Sequence, residues 1–245
     1  MKNKPIIKTQ SLTKKYGDFI ALSNLDLEIN HGDIFGLLGH NGAGKTTTVS
    51  ILTTLLQPSD GVAEICGYDA ATNSKEVCRR IGYLPENVEF YDALTLRENL
   101  AFFGKLSGVE NTEKRISEVL EFLDFTGHEN QKLEEFSKGM RQRAGIAQAI
   151  LHKPEVLFLD EPTSGLDPQG VKLLRENIIH LNQEFGMTIF MNTHLLSEVT
   201  KTCTSIGILR NGELLYHNTL ESTLQAFPGE LSLEDIYLKV DARSE

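Results

Sequence analysis

The strongest chemical signal is a run of eight residues, Gly39-His-Asn-Gly-Ala-Gly-Lys-Thr46, which satisfies G-x-x-x-x-G-K-[ST]. Glycines at this spacing let the backbone curl until its N–H groups face a single anion, and a helix starting at the loop's end adds positive potential. Lys45 is placed to reach the β and γ phosphates of a nucleotide, and the Thr46 hydroxyl to ligate Mg²⁺. Counting Thr47, the candidate ATP contacts are Gly39, His40, Asn41, Gly42, Ala43, Gly44, Lys45, Thr46 and Thr47. A phosphate cradle with bound Mg²⁺ needs a second anchor. Asp160 and Glu161 follow the apolar run Val156-Leu-Phe-Leu159, which puts Asp160 in place to hold the metal shell and Glu161 to polarise an attacking water. His194 ends a third such run, Thr188-Ile-Phe-Met-Asn-Thr193, where it could bond to the γ-phosphate or to that water.

These residues must be delivered by buried strands. Ile34-Phe-Gly-Leu-Leu38, Val156–Leu159, Thr188–Met191 and Ile206–Leu209 are short continuous apolar runs, which suit strands covered by helices on both faces. Earlier, Leu25, Leu27 and Ile29 alternate with Asp26, Glu28 and Asn30, the pattern of a strand with one wet face and an antiparallel neighbour. Helical stripes separate the runs: Ile116, Val119, Leu120 and Leu123, then Val171, Leu174, Ile178, Leu181 and Phe185. Asp167 followed by Pro168 starts the second helix, Thr95-Leu-Arg-Glu98 reads as a capping box, and Ser232-Leu-Glu-Asp235 as its shorter acidic variant. From about 87 to 153 helical patterning replaces strand patterning, so we read an α/β core with an inserted helical subdomain, in which Gly104, Gly108 and Gly127 mark turns.

Composition narrows the function classes. With 245 residues, 40% apolar and 24% charged, the chain is long enough for one large core or two joined subdomains. The longest stretch without Asp, Glu, Lys or Arg, Thr46 to Ser59, is too short and too rich in threonine to cross a bilayer as a helix. Met1 to Lys8 lacks the apolar core of a secretory signal, so a cytosolic location is expected. A net charge of −10 disfavours indiscriminate nucleic-acid binding. Cys66, Cys78 and Cys203 form no C-x-x-C pair, and buried reduced thiols are expected.

On these motifs the chain resembles the ATP-binding subunit of ABC transporters over nearly its whole length. Phe136-Ser-Lys-Gly-Met140 before Arg141-Gln-Arg143 is similar to the family signature; Ser164-Gly-Leu-Asp167 to the loop after the catalytic glutamate; Asn192-Thr-His194 to the switch-histidine motif. Ile81-Gly-Tyr-Leu-Pro-Glu86 resembles the approach to the helical insert, and Arg210-Asn-Gly-Glu213 the turn after the last core strand. The resemblance implies a single ABC ATP-binding domain over 1–245: a P-loop NTPase core with a parallel sheet, an N-terminal antiparallel β subdomain, the insert at about 87–153 and a C-terminal tail from about 225. It also implies that Tyr16 stacks on adenine, that Glu86 joins Thr46 and Asp160 around Mg²⁺, and that Glu161 and His194 are catalytic.

The resemblance resolves one gap, because the phosphate loop has no evident arginine finger. It implies that Ser137 and the Gly139 backbone reach the γ-phosphate held by a second copy, with two ATP molecules sandwiched in a head-to-tail dimer. The partners implied are that second copy and an integral membrane permease, with the subunit peripheral on the inner face of the membrane. The permease surface is expected around 86–99, with Phe90, Tyr91 and Leu94 as apolar contacts. Glu86 stands where glutamine is common, His40 where proline is common, and Phe136, Lys138 and Met140 depart from Leu-Ser-Gly-Gly-Gln. Pro85-Glu86, Ser137-Lys-Gly-Met-Arg-Gln-Arg143 and the tail Ser232–Leu238 resemble the ABC-2 type exporter branch, which includes drug and sodium efflux. The competing reading is a non-transport ABC ATPase acting on ribosomes or DNA. One nucleotide site, no long coiled-coil insert and the acidic charge count against it.

Overall fold

The computed structural model describes residues 4–227 and 232–242. Strands β1 (Ile7–Tyr16) and β2 (Phe19–Ile29) pair antiparallel, with Ile7 opposite Ile29 and Leu12 opposite Leu25. Leu25, Leu27 and Ile29 are buried while Asp26, Glu28 and Asn30 are exposed, as the period-two pattern requires. With β4 (Asp60–Ile65) and β5 (Tyr68–Asp69) they form a four-stranded antiparallel sheet in the order β2-β1-β4-β5.

A six-stranded sheet carries the second layer, in the order β10-β9-β3-β8-β7-β6. Its strands β3 (Ile34–Leu38), β6 (Ile81–Leu84), β7 (Val156–Asp160), β8 (Thr188–Asn192) and β9 (Ser205–Arg210) run parallel, and β10 (Glu213–Thr219) returns antiparallel on β9. Every residue of β3, β7 and β8 is buried. Alternate side chains enter opposite cores: Ile34, Leu157, Leu159, Ile189 and Met191 pack toward one set of helices, while Phe35, Leu37, Phe158 and Phe190 pack toward α1 (Lys45–Leu52) and the antiparallel sheet. That double burial is why these runs lack the polar alternation of β2. Because the strands are parallel, the residues that follow β3, β7 and β8 emerge at one edge.

Between β6 and β7 the chain forms α3 (Leu96–Leu106), α4 (Thr112–Phe122) and α5 (Lys138–Ala149), with 3₁₀ turns at Thr126–His128 and Leu133–Glu135. Thr95 closes a full capping box with Glu98, and Ser137 caps α5 by accepting the Met140 N–H. The other helices are α2 (Ser74–Cys78), α6 (Pro168–Phe185), α7 (Leu196–Thr202), α8 (Leu220–Ala226) and α9 (Leu233–Ala242). Asp167 Oδ1 accepts the Gly170 N–H at 2.8 Å to start α6, whose buried stripe is Leu174, Ile178 and Leu181. Ser232 Oγ accepts the Asp235 N–H at 3.2 Å, and α9 buries Leu233, Ile236 and Val240.

Four expectations need correction. Gly104 is no turn: it lies inside α3, and a Cβ there would meet Thr112 Cγ2 at 2.6 Å, so its missing side chain lets α4 approach. Cys203 is buried and Cys66 half-buried, but Cys78 is exposed, because it ends the short α2 on an outer face beside Thr54. Phe185 does not finish the buried stripe of α6; it is exposed and its ring lies tilted against Phe122, with ring centroids 4.9 Å apart. Val171, at the opposite end of that stripe, is only half-buried. Of the expected tail from 225 and the N-terminal segment, residues 1–3, 228–231 and 243–245 lie outside the described residues.

Candidate active site

The phosphate loop joins β3 to α1. Gly44 takes φ +108, and a Cβ there would stand 2.7 Å from the Ala21 carbonyl and 2.8 Å from Leu22, so both backbone angle and space demand glycine. The first turn of α1 carries no acidic residue to cancel its positive end. Lys45 is only 6% exposed, with its ammonium inside the curl, donating to the carbonyls of Gly39 at 2.7 Å and His40 at 3.3 Å and lying 4.0 Å from Glu161 Oε1. Burial pushes its pKa below the ordinary lysine value, against the opposing pull of Glu161 and Asp160. His40, Asn41, Gly42 and Thr46 form the exposed rim, Thr47 is half-buried, and Ala43 is buried.

Asp160 closes β7 and is 7% exposed. Its Oδ1 accepts from Asn192 Nδ2 at 2.7 Å, and its Oδ2 from the Tyr83 hydroxyl at 3.4 Å. Burial, then the Asp160 charge, push the Tyr83 phenol up to about 12, so it stays a donor. Glu161 follows with φ +45, a backbone angle that costs a non-glycine residue about 1–3 kcal/mol and marks sites where structure is over-determined. Its N–H donates to Asn192 Oδ1 at 2.9 Å, and His194 Nδ1 lies 2.8 Å from Glu161 Oε2. One edge of the sheet therefore brings together Lys45, Asp160, Glu161 and His194.

The donor set fits Mg²⁺. Thr46 and Asp160 offer hard oxygens, and among the described residues no group of three His, Cys, Asp or Glu could hold a metal alone. Mg²⁺ is suited to such partial sites, since it takes one or two protein oxygens and completes its octahedron with phosphate oxygens and water. Glu86 is exposed; its Oε1 accepts from Ser164 Oγ at 3.2 Å and its carbonyl from Gln142 Nε2 at 3.2 Å.

Three expected ATP contacts stand apart from this cluster. Tyr16, at the end of β1, is half exposed, with Lys14 Nζ 5.2 Å from its ring. Ser137 is exposed and Gly139 half-buried at the start of α5, and among the described hydrogen bonds none joins them to the phosphate loop. Sequence reasoning assigned no role to Asn192 or Tyr83, although a polar residue ending an apolar strand run was a signal for the first. A cleft of about 1140 Å³ between α2, the α3–α4 connection and Leu151–Lys153 includes none of these residues.

The ABC transporter domain family matches residues 22–164. The chain belongs to the ABC transporter family. It is 47% identical over 211 residues to the bacitracin transport ATP-binding protein BcrA of Bacillus licheniformis, covering 86% of this chain and 68% of that relative. A solved ATP-binding subunit of an ABC transporter is 30% identical and superposes with a TM-score of 0.85 over 96% of this chain and 99% of its own. A dimeric ATP-binding cassette in a post-hydrolysis state with ADP and Pi is 26% identical, with a TM-score of 0.78 over 87% of this chain and 98% of its own. As a member of the family, this ABC ATPase binds and hydrolyses ATP and couples hydrolysis to transport. Subunits of the family dimerise and work with membrane permeases. No helix among the described residues is long and apolar enough to cross a membrane.

Proposed function

We propose that this chain powers an exporter of bacitracin-like antibiotics as a homodimer on the inner face of the membrane. The observation that carries the catalytic reading is the Glu161–His194 contact at 2.8 Å, on the same edge as Lys45 at 4.0 Å from Glu161. Lys45 turns from the loop carbonyls to the β and γ phosphates when ATP enters. Thr46 and Asp160 would hold Mg²⁺, and Glu86 would join them once Ser164 releases its carboxylate. When bound, the ion withdraws charge from the phosphate oxygens. Glu161 orients the attacking water and accepts its proton, and His194 holds the carboxylate in that aim. Tyr16 offers its half-exposed ring to adenine.

Ser137 and the Gly139 N–H, at the start of the twelve-residue α5, reach the γ-phosphate of the second copy; the exposure of Ser137 and the open helix start support that reading. The permease docks on the surface around 86–99, where Tyr91, 53% exposed, packs with Phe102 and Phe103, and Phe90 and Leu94 flank it. Transport of a bacitracin-like compound is carried over from the 47%-identical relative, and its outward direction from the resemblance to ABC-2 type exporters. Glu161→Gln should keep ATP binding and lose about 10²–10⁴-fold in hydrolysis, the usual weight of a general base. Hydrolysis at the wild-type rate would remove Glu161 from that role.

A further inference from the structure

Asn192 ends the buried strand β8 and is fully buried itself. The parallel register sets Asp160 beside Asn192, so backbone pairing alone brings the amide to the acidic pair. Its two ends meet partners of opposite character: Nδ2 donates to Asp160 Oδ1 at 2.7 Å, and Oδ1 accepts the Glu161 N–H at 2.9 Å. A backbone N–H can only donate and an ionised carboxylate can only accept, so the partners fix which way the amide points. The same N–H also lies 3.2 Å from the Asn192 carbonyl, a longer and secondary contact. Glu161 holds φ +45 at this point, so the bond to its N–H pins the turn that aims its side chain.

From this geometry we infer that Asn192 is a positioning residue for ATP hydrolysis, one amide setting both the Asp160 carboxylate and the Glu161 turn. The inference rests on the proposed roles of Asp160 and Glu161. No smaller side chain does both tasks: a serine hydroxyl is too short to span the two partners, and leucine fills the space but offers neither donor nor acceptor. Tyr83 supports the same carboxylate from its other oxygen, at a longer 3.4 Å.

The test uses the full chain with Asn192→Leu and, should that variant fail to fold, Asn192→Ser. Outer partners of metal-site residues typically matter by about 10–100-fold. The expected result is a kcat lower by about that factor with a KM for ATP within about twofold, because the phosphate loop is untouched. A second readout needs no turnover: binding of a fluorescent ATP analogue without Mg²⁺ should be unchanged, while the Mg²⁺ concentration needed to tighten it should rise. Adding Asn192→Leu to Glu161→Gln should lower residual hydrolysis by much less than it does in the wild-type background, as expected of two groups acting as a unit. Unchanged kcat and unchanged Mg²⁺ midpoint would overturn the inference. So would an equal loss of Mg²⁺-free binding together with a lower melting temperature, which would make Asn192 a packing residue. If Glu161→Gln itself hydrolyses at the wild-type rate, the underlying reading fails instead, and the two failures are told apart by that control.

Discussion

Substituting Lys45→Met keeps the aliphatic stem beneath the phosphate loop and removes only the ammonium. Two unit charges about 4 Å apart interact by about 4 kcal/mol at an effective dielectric near 20. Lys45 is 6% exposed, so water screens it little. In the nucleotide-free chain the ammonium already has the Gly39 and His40 carbonyls and Glu161 at 4.0 Å, and giving up such contacts to a charged group costs about 1.5–3 kcal/mol. The net loss is about 2 kcal/mol, or about 30-fold in affinity. The assay is calorimetric titration with a non-hydrolysable ATP analogue and Mg²⁺. Stability should move the other way. The folded-state pKa of Lys45 lies below its unfolded value, so the unfolded chain binds the proton more readily, and the cost of burying the charge is fully present at neutral pH and relieved only as pH rises toward 10.5. The nucleotide-free Lys45→Met variant should therefore melt higher at pH 7 while binding ATP more weakly. Affinity within about threefold of wild type would refute the placement of Lys45 on the phosphates.

Gly104→Ala should lower stability by about 1–3 kcal/mol, read as a melting shift, because the new methyl would stand 2.6 Å from Thr112 Cγ2; an unchanged melting temperature would show that α3 and α4 separate freely. Burial holds His152 and His217 below the usual imidazole pKa near 6.5, so the unfolded chain takes up these protons first and stability should fall as pH drops below 6.5. Replacing both with Gln should flatten that part of the melting profile, and an unaltered slope would assign the acid sensitivity elsewhere. Phe90→Ala with Tyr91→Ala should abolish drug resistance conferred in cells while leaving basal ATPase within about twofold; unchanged resistance would move the permease surface away from residues 86–99.

The strands were legible because double burial writes a continuous apolar run, and β3, β7 and β8 each begin within a residue of where that run begins. Caps at Thr95 and Asp167 were legible for a different, local reason: one side chain and one N–H three residues on decide them. Long-range consequences were not. Gly104 looked like punctuation because the residue it accommodates, Thr112, lies on another helix. Phe185 fits the α6 stripe by spacing, yet the helix ends there and its ring, 56% exposed, lies against Phe122 at the surface. At the site, Lys45, Asp160, Glu161 and His194 carried recognisable patterns, whereas the bridging role of Asn192 depends on the β7–β8 register, which periodicity alone does not set.

In the proposed dimer a second copy completes the nucleotide site, with Ser137 and Gly139 facing the phosphate loop of the partner. Light scattering after size exclusion on Glu161→Gln tests it most directly, with no nucleotide, with ATP and with Mg-ATP. The expected result is a monomer without nucleotide, a dimer with ATP, and loss of that dimer when Ser137→Arg is added. A chain that stays monomeric at full ATP occupancy, or a dimer indifferent to Ser137→Arg, would contradict it.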